Sequence, residues 1–210
     1  MKSQGVTDVI ATPHFYPEED SLDCFLNKAN EKYSALKNAV TNKDLPEIYL
    51  GCEMPYFKGI SVAENLEKLC LNGSKYLLLE LDLDSIHKKL FEDLEYLINE
   101  RKIIPIMAHL ERYHKERHYR KLLHFLKQHN IPAQVNAASF DSPPHRKALK
   151  KLIKQDIAFI IASDAHSFEK RPPKFTEAFE YIKENFGAST LNKFYKNSKI
   201  LYERICCKND

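Results

Sequence analysis

Five polar residues of kinds that hold metals or substrates, Glu53, Glu80, His109, Asn136 and Asp164, recur along the chain at separations of 27, 29, 27 and 28 residues. His14 precedes Glu53 by 39 residues, and His166 stands two positions after Asp164 in the run "SDAH". Imidazole and carboxylate together make a donor set for borderline divalent ions such as manganese, iron or zinc. Taken singly, each residue has an ordinary reading: His14 a loop histidine, Glu80 an ion-pair partner, His109 a hydrogen-bonded core histidine. Held in phase by one repeat, they carry more weight together. The spacing nominates His14, Glu53, Glu80, His109, Asp164 and His166 as a metal site.

The elements that must position these residues are legible as an alternation. Strand-like runs are "VTDVIA" (6–11), "IYLGCE" (48–53), "YLLLEL" (76–81), "IPIMAH" (104–109), "AQVNA" (133–137) and "FIIASD" (159–164). Between them lie helical periodicities. Leu22, Phe25, Leu26, Ala29, Tyr33 and Leu36 share one face, followed by Leu90, Leu94, Leu97 and Ile98, then Leu122, Leu123 and Leu126, then Leu149, Leu152 and Ile153. Phe175, Ala178, Phe179 and Ile182 follow the last strand, and two short helical stretches are expected near 190–204. Strand–helix alternation predicts six parallel strands with crossover helices. In a barrel of such strands the C-terminal ends meet at one mouth, which gathers the candidate ligands. Cys52, next to Glu53, should point away from that mouth, whereas Asp164 and His166 on extended backbone should point the same way. No Gly-x-Gly-x-x-Gly follows a strand, so a dinucleotide site gains no support.

Two arginines belong to the same neighbourhood. Arg112 follows His109 by three positions, and Arg171 precedes the rigid pair Pro172–Pro173. Arg112 reads either as the partner of Glu111 in a local ion pair or as a phosphate clamp; Arg171 reads either as an exposed loop residue or as a second clamp. Metals with arginines at a barrel mouth suit hydrolysis of a phosphate ester. The absence of a Cys-x5-Arg loop removes cysteine-based phosphatases. His87, His114, His118, His124, His129 and His145 fall on helices or loops away from strand ends.

Composition sets the outer bounds. The 210 residues make one large domain or two small ones, and 43% apolar content supplies a substantial core. The formal charge of +3 is too mild to imply nucleic acid, and the lysines of "HRKALKKLIK" (145–154) read as the solvated face of an amphipathic helix. Five cysteines without Cys-x-x-Cys spacing suit a reducing compartment. No apolar run is long enough for a membrane helix, and no secretory signal core is seen, so a soluble cytoplasmic protein without membrane insertion is expected.

The segments "GVTDVIATPHF", "GCE", "LLLEL", "AHLERY", "QVNAASF" and "IASDAHSFEKRPP" resemble, in order, the motifs of the PHP (polymerase and histidinol phosphatase) superfamily, and most closely its bacterial metal-dependent protein-tyrosine phosphatases of capsule and exopolysaccharide systems. The resemblance runs from residue 1 to about residue 204. It implies a distorted (β/α)7 TIM-like barrel over residues 1–210 as a single domain. It also implies up to three metal ions, usually discussed as manganese, and as substrate the phosphotyrosine tail of a bacterial tyrosine kinase. Carried over by position, it implies metal ligation by His14, Glu53, Glu80, His109, Asp164 and His166, and contact of Arg112 and Arg171 with the substrate phosphate. The family begins with a strand bearing His-x-His and a helix that ends like "KSQGV", where Gly5 reads as the helix-ending residue. On that comparison the chain is expected to lack the first strand and most of the first helix, with impaired activity. Two other readings compete: a catalytically inactive barrel that binds without turnover, and a phosphatase for a small phosphomonoester such as histidinol phosphate. The motif "AHLERY" favours the tyrosine-phosphatase branch.

Overall fold

The computed structural model describes residues 2–39, 45–82, 84–167 and 169–207. Seven short strands alternate with helices: β1 (Asp8–Ala11), α1 (Leu22–Ala39), β2 (Glu47–Leu50), β3 (Glu53–Pro55), β4 (Tyr76–Glu80), α2 (Lys88–Asn99), β5 (Ile104–Met107), α3 (Tyr119–Gln128), β6 (Ala133–Asn136), α4 (Pro143–Lys154), β7 (Ala158–Ala162), α5 (Phe175–Phe186) and α6 (Ala188–Ile205). Every pairing is parallel, with β1 on β2 and β3 to β7 in sequential order. A bridge between His14 and Glu53 joins the two groups.

The strand expected over 48–53 is two strands, so seven are present among the described residues where six were read. The break falls at Gly51–Cys52. A Cβ on Gly51 would lie 2.5 Å from a methyl of Leu71 and 3.1 Å from one of Ile10, so a larger residue there would force those side chains to shift. The extra strand adds no further βα unit.

The strands are apolar on both faces, as strands buried between layers must be. Leu77, Leu79, Met107 and Val135 pack with Leu90 and Leu94 of α2, Leu122 and Leu126 of α3 and Leu149 of α4. Tyr76, Leu78, Ile106 and Ala108 pack instead with Leu201 and Ile205 of α6. Full burial of each such leucine contributes about 1.5–3 kcal/mol. Two expectations about helices need correction. The pair of short helices near 190–204 is one 18-residue helix, uninterrupted because no Gly or Pro falls within it. Its Asn197 donates to the Phe159 carbonyl (2.9 Å), tying it to β7. In α1 only Ala29 is fully buried and Leu36 is exposed, so its apolar face covers less than its periodicity implies. No helix among the described residues is long and apolar enough to cross a membrane.

Candidate metal centre

Glu53 opens β3 and Glu80 ends β4, and the bridge to Glu53 places His14 beside both. The Glu53 N–H donates to the Pro13 carbonyl (3.1 Å) and the Phe15 N–H to the Glu53 carbonyl (3.2 Å), which clips His14 to the carboxylate-bearing strand. One ligand atom each from His14, Glu53 and Glu80 lie within 4.8 Å of one another. His14 Nδ1 is buried without a hydrogen-bond partner and stands 3.8 Å from Glu80.

His109 closes this group from the next strand. After β5 the backbone turns into the left-handed region at His109 (φ 31°), which histidine enters more readily than most side chains. The turn is closed by the Arg112 N–H donating to the His109 carbonyl at 3.0 Å. The His109 side chain is thereby delivered with Nε2 3.1 Å from Glu53 and 3.0 Å from Glu80. Burial alone would lower the pKa of this imidazole; its hydrogen bonds to the two glutamates outweigh that and raise it to about 9. The His109 hydrogen bond in turn holds the Glu80 carboxyl below its ordinary value.

The motif "AHLERY" now has a physical content that its sequence did not disclose. Tyr113, one helical turn after His109, has its hydroxyl 3.2 Å from His109 Nδ1 while accepting from the Leu81 N–H at 3.1 Å. It fixes the ring so that Nε2 faces the carboxylates. Glu111 points the other way, fully buried, accepting from the Ser139 hydroxyl (2.6 Å) and the Asn136 N–H (3.3 Å). Burial raises its pKa, and its Oε2 has no partner. The local ion pair considered for Arg112 with Glu111 is therefore absent. Arg112 reaches Asp164 instead, at 2.6 Å.

Asp164 gathers the other side of the mouth. Its Oδ2 accepts from Arg112, from Arg171 and from the Asn136 amide (2.7 Å). Burial would raise its pKa, but the charges of Arg112 and Arg171 outweigh that and lower it. Asp164 is left-handed (φ 47°), so the extended backbone expected for "SDAH" is corrected. His166 nonetheless stays close, Nδ1 lying 3.7 Å from Asp164 Oδ1, and its ring centroid is 6.0 Å from that of His14. All eight nominated residues thus border one mouth, in two groups: His14, Glu53, Glu80 and His109 on one side, and Arg112, Asp164, His166 and Arg171 on the other. Tyr16, stacked on His14 with ring centroids 5.6 Å apart, is a further rim residue that periodicity gave no reason to select. Cys52 is buried among Phe25, Leu26 and Leu50 in a cavity of about 280 Å³ beneath α1, and so points away from the site as expected.

The donor set fits a divalent ion. Two clustered carboxylates and an unpartnered imidazole nitrogen aimed at them are oxygen and nitrogen donors without a thiolate, the chemistry that borderline metals select.

Comparison with known proteins gives the chain a family. Residues 1–203 match the family model described as capsular polysaccharide synthesis, CpsB/CapC. CapC of Staphylococcus aureus is 33% identical over 97% of this chain and 82% of its own length. The tyrosine-protein phosphatase YwqE of Bacillus subtilis is 27% identical, over 94% of this chain and 79% of its own. The tyrosine-protein phosphatase CpsB of Streptococcus pneumoniae is 24% identical, over 96% and 87%. A crystal structure from work on YwqE and CpsB, described there as metal-dependent tyrosine phosphatases, superposes with a TM-score of 0.78 at 21% identity, covering 97% of this chain and 83% of that one. At that identity the likeness establishes the fold.

Proposed function

The chain belongs to the CpsB/CapC family of capsular polysaccharide synthesis, and on that premise we propose that it is a metal-dependent protein-tyrosine phosphatase of the PHP type. The observation that carries this reading is the meeting of a carboxylate–imidazole cluster with two arginines at one mouth. His14, Glu53, Glu80 and His109, with Asp164 and His166 opposite, would hold divalent metal, manganese in the first instance. Bound there, the metal supplies hydroxide near neutral pH and stabilises charge on the phosphoryl oxygens.

The chain's own residues do the rest. Arg112 and Arg171 converge on a single carboxylate oxygen, and a dianionic phosphate competes for the same donors with more charge and more acceptor positions. Tyr113 and the two glutamates hold His109 in one orientation, with Nε2 donating to the carboxylates, and this is the nitrogen that would be freed for an ion on loss of that proton. The substrate in this proposal is the phosphotyrosine tail of a bacterial tyrosine kinase, the compartment is the cytoplasm, and residues 1–210 act as a single domain.

The test is hydrolysis of a phosphotyrosyl peptide with Mn²⁺ and after chelation. Turnover that requires the ion and is restored by adding it back is the expected result. Metal binding without turnover of any phosphoester would instead favour a binding protein, and preference for histidinol phosphate would move the substrate to small phosphomonoesters.

A further inference from the structure

The net charge of +3 hides an asymmetry. Residues 112–154 hold eleven Lys and Arg against two Asp and Glu, leaving 21 and 27 for the rest of the chain. The fold brings the two basic ends of this stretch together beside the mouth. His114, in the turn after β5, meets His145, in the first turn of α4, edge to face with ring centroids 5.8 Å apart. Burial, and then the charges of His114, Arg112 and Lys115, hold the His145 imidazole below its ordinary value, which places the arginine of the mouth within the same positive field.

Two features set this surface apart from an ordinary solvated helix face. Lys115, Arg117 and Lys147 are exposed and have no carboxylate partner among the described residues. α3 and α4 both begin on the mouth side, following the C-terminal ends of β5 and β6, and neither has an acidic residue in its first turn. Helix N-termini favour anions, so the sequence puts cations where the helix dipole already makes the potential positive. The tyrosines of the turn, Tyr113 and Tyr119, are buried and so offer no rings for nucleobases to stack on.

We infer that this basic apron binds an acidic stretch of polypeptide flanking the phosphorylated tyrosine, holding it beside Arg112. The inference rests on the phosphatase reading for its substrate and on charge complementarity for its occupant.

Phosphotyrosyl peptides of one core sequence, flanked by four acidic or four neutral residues, test it against the parent and the variant Lys115→Glu/Arg117→Glu/Lys147→Glu. The acidic peptide should show roughly tenfold higher kcat/KM at low salt, mainly through KM, with the advantage shrinking as salt rises. The variant should lose that preference while hydrolysing p-nitrophenyl phosphate at the parental rate. Equal kcat/KM for the two peptides, or a preference that survives charge reversal, overturns the inference. Should the reversal variant fail to fold, the Gln counterpart at the three positions replaces it. Fluorescence anisotropy of the unphosphorylated acidic peptide separates the two readings. If the protein hydrolyses nothing, the phosphatase reading fails, yet peptide binding that is lost in the variant still supports the apron. No binding, or tighter binding of a single-stranded oligonucleotide, overturns it.

Discussion

On one side of the mouth the side chains of Glu53 and His109 are 6% and 2% exposed, set on β3 and just past the end of β5 and joined through hydrogen bonds that also take in Glu80 of β4. On the other, the side chains of Arg112 and Arg171 are 38% and 43% exposed, Arg112 in a 3-10 turn (Leu110–Tyr113) after β5 and Arg171 in the loop after β7. The first side is fixed before anything binds, because its carboxylates and imidazole satisfy one another in a low-dielectric setting. The second is held mainly by charge, with two long cationic side chains sharing one aspartate that the Asn136 amide also holds. A preformed side suits a resident ion, which needs constant geometry, and an adjustable side suits a substrate that must enter and leave.

If that division is right, the largest effects come from the ligands. His109→Ala and Asp164→Ala should each lower metal affinity beyond the ~10–100-fold seen when only an outer partner of a ligand is lost, and activity should fall with metal content. His109→Ala should be the worse, because it also strands two glutamates beside each other. Elemental analysis of both purified variants checks this, and parental occupancy in both would break the comparison at its root.

Arg112→Ala should act differently, leaving metal content near the parental level while kcat/KM drops about ten- to a hundred-fold, the roughly 1.5–3 kcal/mol of a charge-assisted bond. Equal loss of metal in this variant would mean that Arg112 itself, and not only Asp164 and His166 beside it, supports the ion site.

The division should also be visible in the chelated protein as two limbs of a pH–stability curve. His109 is a base raised from its ordinary 6.5 to about 9, so its pairing stabilises fully below pH 6.5 and is lost as pH rises through about 9. Asp164 and Glu80 are acids held below 3.8 and 4.5, so their contribution is present above those values and lost as pH falls through the lowered ones. Tm measured in chelator should decline on both sides. Arg112→Ala should shift the acid limb toward neutral, since Asp164 and Glu80 lose a cation, and move the alkaline limb to higher pH, since the same cation holds the His109 imidazole down while its hydrogen bonds to Glu53 and Glu80 remain.

How the two sides were legible in the sequence follows from how they are built. His14, Glu53, Glu80, His109, Asp164 and His166 announced themselves because parallel strands impose a repeat and their C-terminal ends share a mouth. Arg112 and Arg171 were visible by proximity to those ends, but their common partner was not, since Asp164 lies 52 residues from Arg112 and only the curl of the sheet joins them. Tyr113 and Glu111 gave no periodic signal at all; their roles depend on a left-handed turn at His109 that histidine's modest preference for that region does not locate. The break at Gly51 was hidden for a similar reason, being set by Leu71 and Ile10 crowding against the backbone.

Glu111 offers the finest test, because it is the tie between the two sides: it holds the Asn136 backbone, and the Asn136 side chain holds Asp164. Its burial makes the folded carboxyl harder to ionise than the unfolded one, so its charge costs stability at neutral pH, and the cost is relieved as pH falls toward its raised value. Glu111→Gln keeps an oxygen to accept from Ser139 and Asn136 and removes the charge. It should therefore match or exceed the parent at pH 7 by no more than about 1 kcal/mol, with the two converging in acid. Glu111→Ala removes the acceptor as well, and should loosen Asp164 enough to raise KM while leaving His109 and its glutamates paired. Denaturant titration at pH 7 and pH 5, with KM measured on the same samples, distinguishes these outcomes. A marked loss of stability in Glu111→Gln would show that the negative charge itself holds the mouth together, through His109 and across both sides, and the two sides would then have to be treated as one electrostatic unit.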